Sequence, residues 1–392
     1  MPHLYVHVPF CATLCHYCAF YSEPSKGDTI NRYLDALEKE ITHWTPSLRP
    51  ETIFFGGGTP TLLNRKQLER VLSTLNSQLS TAPSEFTFES NPATLSLDKA
   101  RLLRSFGVNR ISIGVQSFDE RILDKLGRIH SIEQALKSYD ILRKAGFDNV
   151  NIDLMFALPG QNMADWEKTL RQAIALQPEH ISTYCLTLEE DTVFWRLFQE
   201  GAIKPNEDQE TEMYQRTWDI LESDGYHQYE ISNFARARDR TGARPFAPTH
   251  ACRHNIGYWR CEDCVALGPS AAANRGNKRW KNISNTEEYI ARIQRGDSPA
   301  DFEETLDDAT RAGEYVAFGL RMMEGVSASE FSSRFGADLT VLWTSELKSL
   351  FAEDLVRWNN DHLQLTARGK LLADEVSANF VSASGGDAAA LL

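Results

Sequence analysis

Six short runs of β-branched and aromatic residues recur in the first half of the chain, and an amphipathic stretch separates each run from the next. The runs are LYVHVPF, TIFFGG, EFTFES, RISIGVQS, NVNIDLMF and HISTYCL. Strands that alternate with helices form parallel sheets. Near-continuous apolar strands also indicate a sheet that is buried on both faces. The sequence therefore predicts an α/β fold built as a partial (β/α)6 TIM-like barrel.

Helical signals lie between the strand runs. Leu34, Leu37 and Ile41 recur at the spacing of one helix face, and Ser131 with Gln134 forms a predicted capping box. In a barrel of this kind the ligand site lies at the carboxyl ends of the strands. We therefore expect the ligand-binding residues directly after the strand runs.

A smaller C-terminal unit follows the barrel. We predict a barrel domain over residues 1–235, a connecting segment over 236–300, a C-terminal domain over 301–380 and a disordered tail over 381–392. In the C-terminal domain, Ser327 with Glu330 suggests a second capping box, and a hairpin around residues 359–361 precedes a helix. This pattern is typical of a mainly helical, winged-helix-like module.

The charge balance disfavours a protein that binds nucleic acid. The chain has 392 residues, and 41 Lys and Arg stand against 54 Asp and Glu, which gives a net charge of −13. Coating a polyanion requires a basic surface that releases counterions. We therefore predict no nucleic-acid partner. One local basic stretch, with Arg236, Arg238, Arg240 and Arg244, has the Gly and Pro content of an exposed loop.

Cysteine usage indicates a reducing compartment. The chain has seven cysteines, an odd number, with no signal peptide and no transmembrane run in the sequence. An Arg-rich mitochondrial leader is not expected either, because only ten residues precede Cys11. We therefore predict a cytoplasmic protein whose thiols serve metal chemistry.

Three of these cysteines directly follow the first strand run. Cys11, Cys15 and Cys18 have Cx3Cx2C spacing. A [4Fe-4S] cluster has four irons, so three thiolates leave one iron free to coordinate a small molecule. Zinc sites usually pair C-x2-C with a distant second pair instead. We therefore predict that the three cysteines hold a [4Fe-4S] cluster with an open iron.

This cysteine spacing resembles the signature of the radical S-adenosylmethionine (SAM) superfamily. In that family the amine and carboxylate of SAM chelate the open iron, and reductive cleavage of SAM yields an organic radical. The strand ends carry groups that suit such a ligand, because a zwitterionic sulfonium with ribose hydroxyls needs both donors and acceptors. Residues 56–60 read GGGTP, and the polar residues at later strand ends are Glu89, Gln116, Arg128 and Asp153.

The resemblance narrows to one group within the superfamily, the coproporphyrinogen dehydrogenases and HemW-type heme chaperones. It extends from about residue 4 to residue 380. The motifs that carry it are LYVHVPFC, GGGTPT, ESNP, RISIGVQSF, IDLMFALPGQ, YEISNFA, GPSA and LTARG.

The resemblance implies two sets of SAM-binding residues. The first set contacts the cluster-bound SAM and comprises Tyr5, Gly57 and Glu89, with Ala272 joining them. The second set surrounds a second SAM position described for the dehydrogenase and comprises Tyr17, Gly58, Thr59, Gln116, Arg128, Asp153 and Cys185.

Two features distinguish the branches of this group. The dehydrogenase pattern has a further cysteine where this chain has Phe20, and a long N-terminal extension that is not found here. The residues HNIGYW match the HNxxYW motif associated with heme in the chaperone branch, and they supply His254, Tyr258 and Trp259. An imidazole can ligate heme iron, and Tyr and Trp offer flat apolar faces to a macrocycle. We therefore predict that His254 ligates heme or lies beside it.

The remaining cysteines in this region allow two interpretations. Cys252, Cys261 and Cys264 bring three thiols within thirteen residues, and C-x2-C is a plausible metal pair. Ordinary unligated cysteines are the favoured interpretation, because the family pattern lacks this pair. The basic insertion from Arg236 to His250 also departs from the family loop, and could contact propionates, a partner or only solvent.

The resemblance and the branch features together imply a heme chaperone. It would bind a [4Fe-4S] cluster, SAM and heme, and pass heme to apo-hemoproteins, including respiratory ones, through a transient contact with a membrane protein. The alternative is oxygen-independent oxidative decarboxylation of coproporphyrinogen III. A third hypothesis, DNA-binding regulation through the C-terminal module, conflicts with the acidic net charge.

Overall fold

The computed structural model describes residues 3–24, 28–44, 49–236 and 250–381. Its strands in chain order are β1 (His3–Val8), β2 (Phe10–Cys11), β3 (Glu23–Pro24), β4 (Thr52–Gly57), β5 (Glu85–Ser90), β6 (Arg110–Gln116), β7 (Val150–Phe156), β8 (His180–Cys185), β9 (Tyr226–Glu230), β10 (Asn233–Arg236), β11 (Cys264–Leu267), β12 (Ala272–Arg275), β13 (Lys278–Asn282), β14 (Ala300–Thr305), β15 (Val326–Ser327), β16 (Val356–Asn359) and β17 (His362–Leu365).

The helices alternate with these strands in the first two thirds of the chain. They are α1 (Thr29–Trp44), α2 (Arg65–Gln78), α3 (Leu97–Ser105), α4 (Glu120–Lys125), α5 (Ile132–Lys144), α6 (Met163–Ala175), α7 (Val193–Gln199), α8 (Glu207–Ser223), α9 (Arg253–Trp259), α10 (Thr286–Arg295), α11 (Asp308–Gly319), α12 (Ala328–Phe335), α13 (Leu339–Leu342), α14 (Thr344–Ala352), α15 (Ala367–Leu371) and α16 (Ala373–Ala378). In the described part of the chain, no helix is both long and apolar enough to cross a membrane.

Six parallel strands form the centre of one large sheet. Strands β1, β4, β5, β6, β7 and β8 lie side by side in chain order, with helices connecting them. Strand β11 pairs in parallel with β1, and antiparallel strands extend the sheet at both edges. The predicted α/β fold with a partial (β/α)6 barrel is therefore confirmed, and each predicted strand run overlaps one of the six strands.

The two faces of the barrel strands carry different side chains. On β1, Leu4 and Val6 are fully buried in the main core, which also contains the predicted apolar face of α1. Side chains alternate across a strand, so His3 and Tyr5 point the other way, into the barrel. Both faces are buried as expected, but the inner face is polar and aromatic. The first inner-facing residues of the other barrel strands are Thr52, Glu85, Arg110, Asn151 (the second residue of β7) and His180, all nearly inaccessible to solvent.

The C-terminal module has its own core. Helices α11 to α16 surround the small antiparallel sheet β15-β17-β16 and bury Val316, Phe331 and Leu363. The predicted hairpin forms between β16 and β17, where Asn360 has a φ of 53°. Only half of the predicted second capping box forms: the Ser327 hydroxyl accepts a hydrogen bond from the Glu330 amide at 3.0 Å. The module thus has the mainly helical, winged character that the sequence predicts.

The connecting segment contributes strands to the main sheet. Its strands β11, β12 and β13 continue the sheet beyond β1, and β14, which crosses the predicted limit at residue 300, pairs with β13. The domain limits at 235, 300 and 380 stay a prediction. The predicted tail lies beyond the described residues, apart from residue 381.

Glu40 joins α1 to this connecting segment. Its side chain is buried, and its carboxylate accepts hydrogen bonds from the Gly268 amide at 2.8 Å, from Asn282 Nδ2 at 3.0 Å and from the Tyr289 hydroxyl at 2.6 Å. Burial raises the pKa of Glu40, and these three bonds oppose that rise. One carboxylate therefore fixes the residue after β11, the end of β13 and α10 against the first barrel helix.

We expect Glu40→Ala to lower the free energy of unfolding by about 3 kcal/mol, because each stranded buried donor costs ~1–3 kcal/mol. Urea denaturation measures this change. The matched control is Asp35→Ala on the same helix, where an exposed carboxylate forms an ion pair with Arg70. Asp35→Ala should lower the free energy of unfolding by less than about 1 kcal/mol. A Glu40 variant as stable as the control would contradict this account.

Candidate functional site

The three N-terminal cysteines lie in a loop at the carboxyl end of β1. Strands β2 and β3 pair in parallel and close the base of this loop. Two backbone bonds anchor its middle: the His16 amide donates to the Leu126 carbonyl at 3.0 Å, and the Phe194 amide donates to the His16 carbonyl at 2.9 Å. The loop is therefore held against segments that follow β6 and β8.

All three thiols line one cavity of about 330 Å³ at this end of the barrel. The Cys11 sulfur lies 3.6 Å from the Thr59 hydroxyl, and Arg128 Nη1 donates to the Cys15 sulfur at 3.4 Å. Phe20 also lines the cavity and is 68% exposed. Free thiols that face one cavity are the donor set that an iron-sulfur cluster requires, so the residues fit this cofactor.

Burial controls the protonation of these thiols. It raises the pKa of Cys11, and it raises the pKa of Cys18 to about 11. The Phe20 backbone amide donates to the Cys18 sulfur and partly offsets this rise. Cys11 and Cys18 therefore stay protonated at neutral pH without metal, and iron binding would release their protons.

Two glycines allow the loop after β4 to lie directly on β1 and β2. Gly57 has a φ of +98°, and a Cβ there would lie 2.5 Å from the His7 ring. A Cβ on Gly58 would lie 2.7 Å from the Phe10 carbonyl oxygen. Because neither residue has a side chain, the amides of Gly58 and Thr59 donate to the Val8 and Phe10 carbonyls, each at 2.8 Å.

Two buried carboxyl groups lie near this cavity. Glu89 accepts a hydrogen bond from the Gly57 amide, and burial together with nearby Asp153 raises its pKa to about 8. Asp153 accepts from the Ser112 hydroxyl at 2.8 Å and from Asn151 Nδ2 at 2.7 Å. Burial also raises the pKa of Asp153. The pair therefore favours a cationic ligand, which would lower the cost of ionising both groups.

Arg128 and Gln116 meet beside Gly114. Arg128 Nη2 donates to the Gly114 carbonyl at 2.5 Å, while Arg128 Nε and Gln116 Oε1 are buried without a hydrogen-bond partner. Gln116 also has a φ of 68°, which is strained for a residue with a side chain. Buried polar atoms without partners are uncommon in folded proteins. The arrangement leaves donor and acceptor capacity for a ligand.

The predicted SAM residues fall into two sets by position. Those that line the cavity with the cysteines are Tyr17, Gly57, Gly58, Thr59 and Arg128. The others are not among the lining residues: Tyr5, Glu89, Gln116, Asp153, Cys185 and Ala272. Among the residues that do not line the cavity, Glu89, Gln116 and Asp153 lie close to residues that do. Cys185, in contrast, is exposed at the end of β8, and Ala272 is the first residue of β12. Their roles in SAM binding stay predictions.

His7 lies beside the cysteine loop but was not among the predicted site residues. Its Nδ1 lies 3.1 Å from the Tyr5 hydroxyl, and its Nε2 lies 2.8 Å from the Tyr21 carbonyl at the end of the cysteine loop. Burial lowers the pKa of His7 to about 4, so the ring stays neutral. The signal was present as a period of two, because His3, Tyr5 and His7 alternate with aliphatic residues.

The HNxxYW motif forms helix α9 at the other end of the barrel. Glu85, the first residue of β5, accepts hydrogen bonds from the Arg253 and His254 amides at 2.9 and 3.1 Å. His254 Nδ1 lies 2.7 Å from the hydroxyl of Thr52, the first residue of β4. The motif is therefore at the amino ends of the strands, opposite the cysteines.

His254 is enclosed by aromatic rings. Its side chain is only 1% exposed, the Phe54 ring stacks on it at 5.1 Å, and Tyr258 lies edge-on to it at 5.1 Å. Burial lowers the pKa of His254 well below its usual value, so the imidazole is neutral. Its Nε2 is buried without a hydrogen-bond partner. An orphaned imidazole nitrogen of this kind fits a heme iron chemically, and Tyr258, which is 37% exposed, separates it from solvent.

Trp259, the other motif residue, and Arg236, the first residue of the basic insertion, each form a cation–π contact. The Arg321 guanidinium stacks on Trp259 at 4.8 Å, and the Arg236 guanidinium stacks on Tyr226 at 4.7 Å. Arg238, Arg240 and Arg244 lie outside the described residues.

The three additional cysteines occupy separate surroundings. Cys252 lies 3.5 Å from Glu85 Oε1, Cys264 lies 3.5 Å from the Tyr258 hydroxyl, and Cys261 packs against the core of the C-terminal module. Within the described ranges, no group of three or more His, Cys, Asp or Glu side chains is arranged to hold a single metal ion.

Comparisons with known proteins agree with the fold and the cysteine loop. The chain matches the Radical SAM superfamily over residues 5–173 and the HemN C-terminal domain over residues 306–372. The heme chaperone HemW of Bacillus subtilis is 37% identical over 389 residues, covering 97% of this chain and 99% of that protein. HemW of Escherichia coli is 31% identical over 388 residues, covering 97% and 98%.

A solved structure supports the same fold over nearly the whole chain. Coproporphyrinogen III oxidase (HemN) of Escherichia coli, described as a radical SAM enzyme, superposes with a TM-score of 0.83 at 26% identity. The match covers 97% of this chain and 90% of that chain. A Radical SAM domain implies a [4Fe-4S] cluster and SAM as cofactors. The chain belongs to the HemW family of the radical SAM superfamily.

Proposed function

We propose that this protein is a cytoplasmic heme chaperone that binds a [4Fe-4S] cluster, SAM and heme, and transfers heme to acceptor proteins such as respiratory hemoproteins. The observation that carries the proposal is the neutral, buried His254 with an unpartnered Nε2, in a chain that is similar over its full length to heme chaperones. A neutral imidazole nitrogen is a common iron ligand in heme proteins.

Cys11, Cys15 and Cys18 would hold the cluster, and the open iron would supply the point of SAM attachment. Glu89 and the Gly57 backbone would accept hydrogen bonds from the SAM amine that chelates the open iron, and the positive charge of the sulfonium would favour the ionised form of Glu89. Thr59 beside the Cys11 sulfur and Arg128 beside the Cys15 sulfur would orient the loop around the cluster. Tyr17, Gln116 and Asp153 would complete the polar surroundings.

Heme would bind at the opposite end of the barrel. His254 would ligate the iron through Nε2, and Tyr258, the partly exposed ring against His254, would have to move aside to admit the macrocycle. Trp259 Nε1 is also buried without a partner, so its indole could donate to a heme propionate. When heme passes to an acceptor, the Tyr258 ring would return to its position against His254.

The alternative function is that of coproporphyrinogen dehydrogenase. The structural similarity to HemN favours it. Phe20 disfavours it, because an exposed phenyl ring lines the cavity at the position where the dehydrogenase pattern has a cysteine. The two functions differ in their product, because only the dehydrogenase would convert coproporphyrinogen III to protoporphyrinogen.

The test of function uses anaerobically reconstituted protein with two readouts. We expect saturable heme binding, transfer of that heme to an apo-hemoprotein, and no catalytic formation of protoporphyrinogen from coproporphyrinogen III with SAM. His254→Ala should weaken heme binding at least tenfold, since it removes the iron ligand. Protoporphyrinogen formation at a catalytic rate would replace the chaperone function with the dehydrogenase. Unchanged heme binding by the variant would refute His254 as the site.

For the cluster, we expect that replacing Cys11, Cys15 or Cys18 with Ser, one at a time, abolishes the [4Fe-4S] spectrum. A [4Fe-4S] cluster with an open iron depends on each of its three thiolates. Absorption and EPR spectroscopy together with iron analysis measure the result. Cys261→Ser is the control and should retain the cluster, because this thiol packs against the C-terminal core. Full cluster retention in any of the first three variants would disprove the ligand assignment.

For SAM, we expect affinity to fall as the pH is lowered through about 8. Glu89 has a pKa raised to about 8, so it is mainly protonated at neutral pH and must lose a proton to accept a hydrogen bond from the iron-bound SAM amine. Each pH unit below that value should weaken binding by up to about tenfold through this proton. Calorimetry of cluster-loaded protein at several pH values measures this. Glu89→Gln should bind weakly with a shallower pH dependence, since only the SAM amine then loses a proton on binding, and an equally steep profile in that variant would exclude Glu89.

A further inference from the structure

Four side chains form a hydrogen-bonded series that ends at His254. Glu262 Oε2 lies 2.9 Å from His3 Nε2, and His3 Nδ1 lies 2.7 Å from the Thr52 hydroxyl. The same hydroxyl lies 2.7 Å from His254 Nδ1. His3, Thr52 and His254 are all buried. A single hydroxyl group therefore connects two imidazole rings, and a carboxylate lies at the far end of the series.

The carboxylate fixes the direction of every bond in this series. The bond from His3, with Arg260 and Arg334 nearby, lowers the pKa of Glu262, so Glu262 is an anion that can only accept. His3 Nε2 must therefore donate to Glu262. In a neutral ring, His3 Nδ1 is then an acceptor, and the Thr52 hydroxyl donates to it.

We propose that Glu262, His3 and Thr52 act as positioning residues that fix the tautomer of His254, leaving the lone pair on its Nε2 available to a metal. Because the Thr52 hydroxyl donates its proton to His3, its oxygen must accept from His254 Nδ1–H. A neutral His254 with its proton on Nδ1 carries a lone pair on Nε2. That nitrogen is the buried atom without a partner. The inference deepens the proposed heme function and rests on it for the identity of the metal.

The reverse direction is less favourable for two reasons. It requires a second proton on His3, because His3 would have to donate to both Glu262 and Thr52. It also places a proton on His254 Nε2, which would bury an N–H donor with no acceptor. The forward direction satisfies every donor in the series and leaves only an acceptor free.

Gly257, inside the HNxxYW motif, allows this contact to form. A Cβ at this position would lie 2.2 Å from His3 Nε2, well inside any permitted contact. Its φ is not in the left-handed region, so the need for glycine here is one of space alone. Helix α9 can therefore lie directly over His3. The motif supplies both His254, the proposed iron ligand, and Gly257, which leaves room for His3.

The test begins with heme-free protein. In protein labelled with ¹⁵N-histidine, long-range ¹H–¹⁵N spectra distinguish the two neutral tautomers, and His254→Gln identifies the His254 signals by their loss. We expect the proton on Nδ1 in the unmodified protein and in Thr52→Ser, which keeps the hydroxyl. Thr52→Val, which lacks it, should move a measurable share of the proton to Nε2. A proton on Nε2 in the unmodified protein, or no change in Thr52→Val, would overturn the proposal.

Heme titration of the same variants tests the consequence. Loss of a residue that orients a metal ligand costs roughly 10–100-fold in metal affinity, so Thr52→Val should bind hemin at least tenfold more weakly and Thr52→Ser should bind normally. Glu262→Gln should also weaken binding, whereas Asp263→Asn, the adjacent carboxylate that contacts Gly276, should not. If the tautomers are as expected but no variant alters hemin binding, the series stands and the proposed heme site at His254 fails.

Discussion

The interior of the barrel is polar but sealed from water, so each polar group inside it needs a partner from the protein. Burying an unpaired polar group costs ~1–3 kcal/mol, and a dozen such groups would exceed the stability of a domain. Side chains on neighbouring strands provide these partners by forming hydrogen bonds with one another. Asn151 donates to Asp153 and lies 2.7 Å from His180 Nδ1, while His180 Nε2 lies 2.8 Å from the Tyr229 hydroxyl. That hydroxyl accepts from the Cys252 amide at 3.1 Å, so the network reaches the start of α9.

Atoms that escape this pairing include several at the two candidate sites. Gln116 Oε1 and Arg128 Nε lie near the cysteine cavity, and His254 Nε2 and Trp259 Nε1 lie in the HNxxYW motif. Other unpartnered atoms occur elsewhere in the described residues, so orphaned atoms alone do not identify a site. They become informative where they coincide with a cavity, a strained residue such as Gln116, or a ring whose other nitrogen is already bonded.

Local patterns predicted much of this molecule. The strand runs, the capping box at Ser131 and the cysteine loop all depend on residues close in sequence, and the structure contains each of them. The position of His254 could not be predicted in this way. It depends on α9 crossing to the amino ends of β4 and β5, which Glu85 and Thr52 determine from about 170 and 200 residues away. The polar inner face was present in the sequence as a period of two, in His3, Tyr5 and His7 of the first run and in Glu85, Thr87 and Glu89 of the third. The apolar residues between them made the runs resemble near-continuous apolar strands.

The two ends of β1 impose a limit on how the cluster could influence heme. His3 begins the strand beside His254, and Val8 ends it beside the glycine loop of the cluster cavity. A strand rises ~3.3 Å per residue, so these positions are about 16 Å apart. His254 and the cysteine loop therefore lie at opposite ends of β1. The inner residues of β1 offer one continuous route, because His7 contacts the cysteine loop, Tyr5 contacts His7, and the Tyr5 ring lies 6.5 Å from His254. These contacts connect the cysteine loop to His254 through side chains on one face of a single strand, so the two candidate sites share part of one buried network.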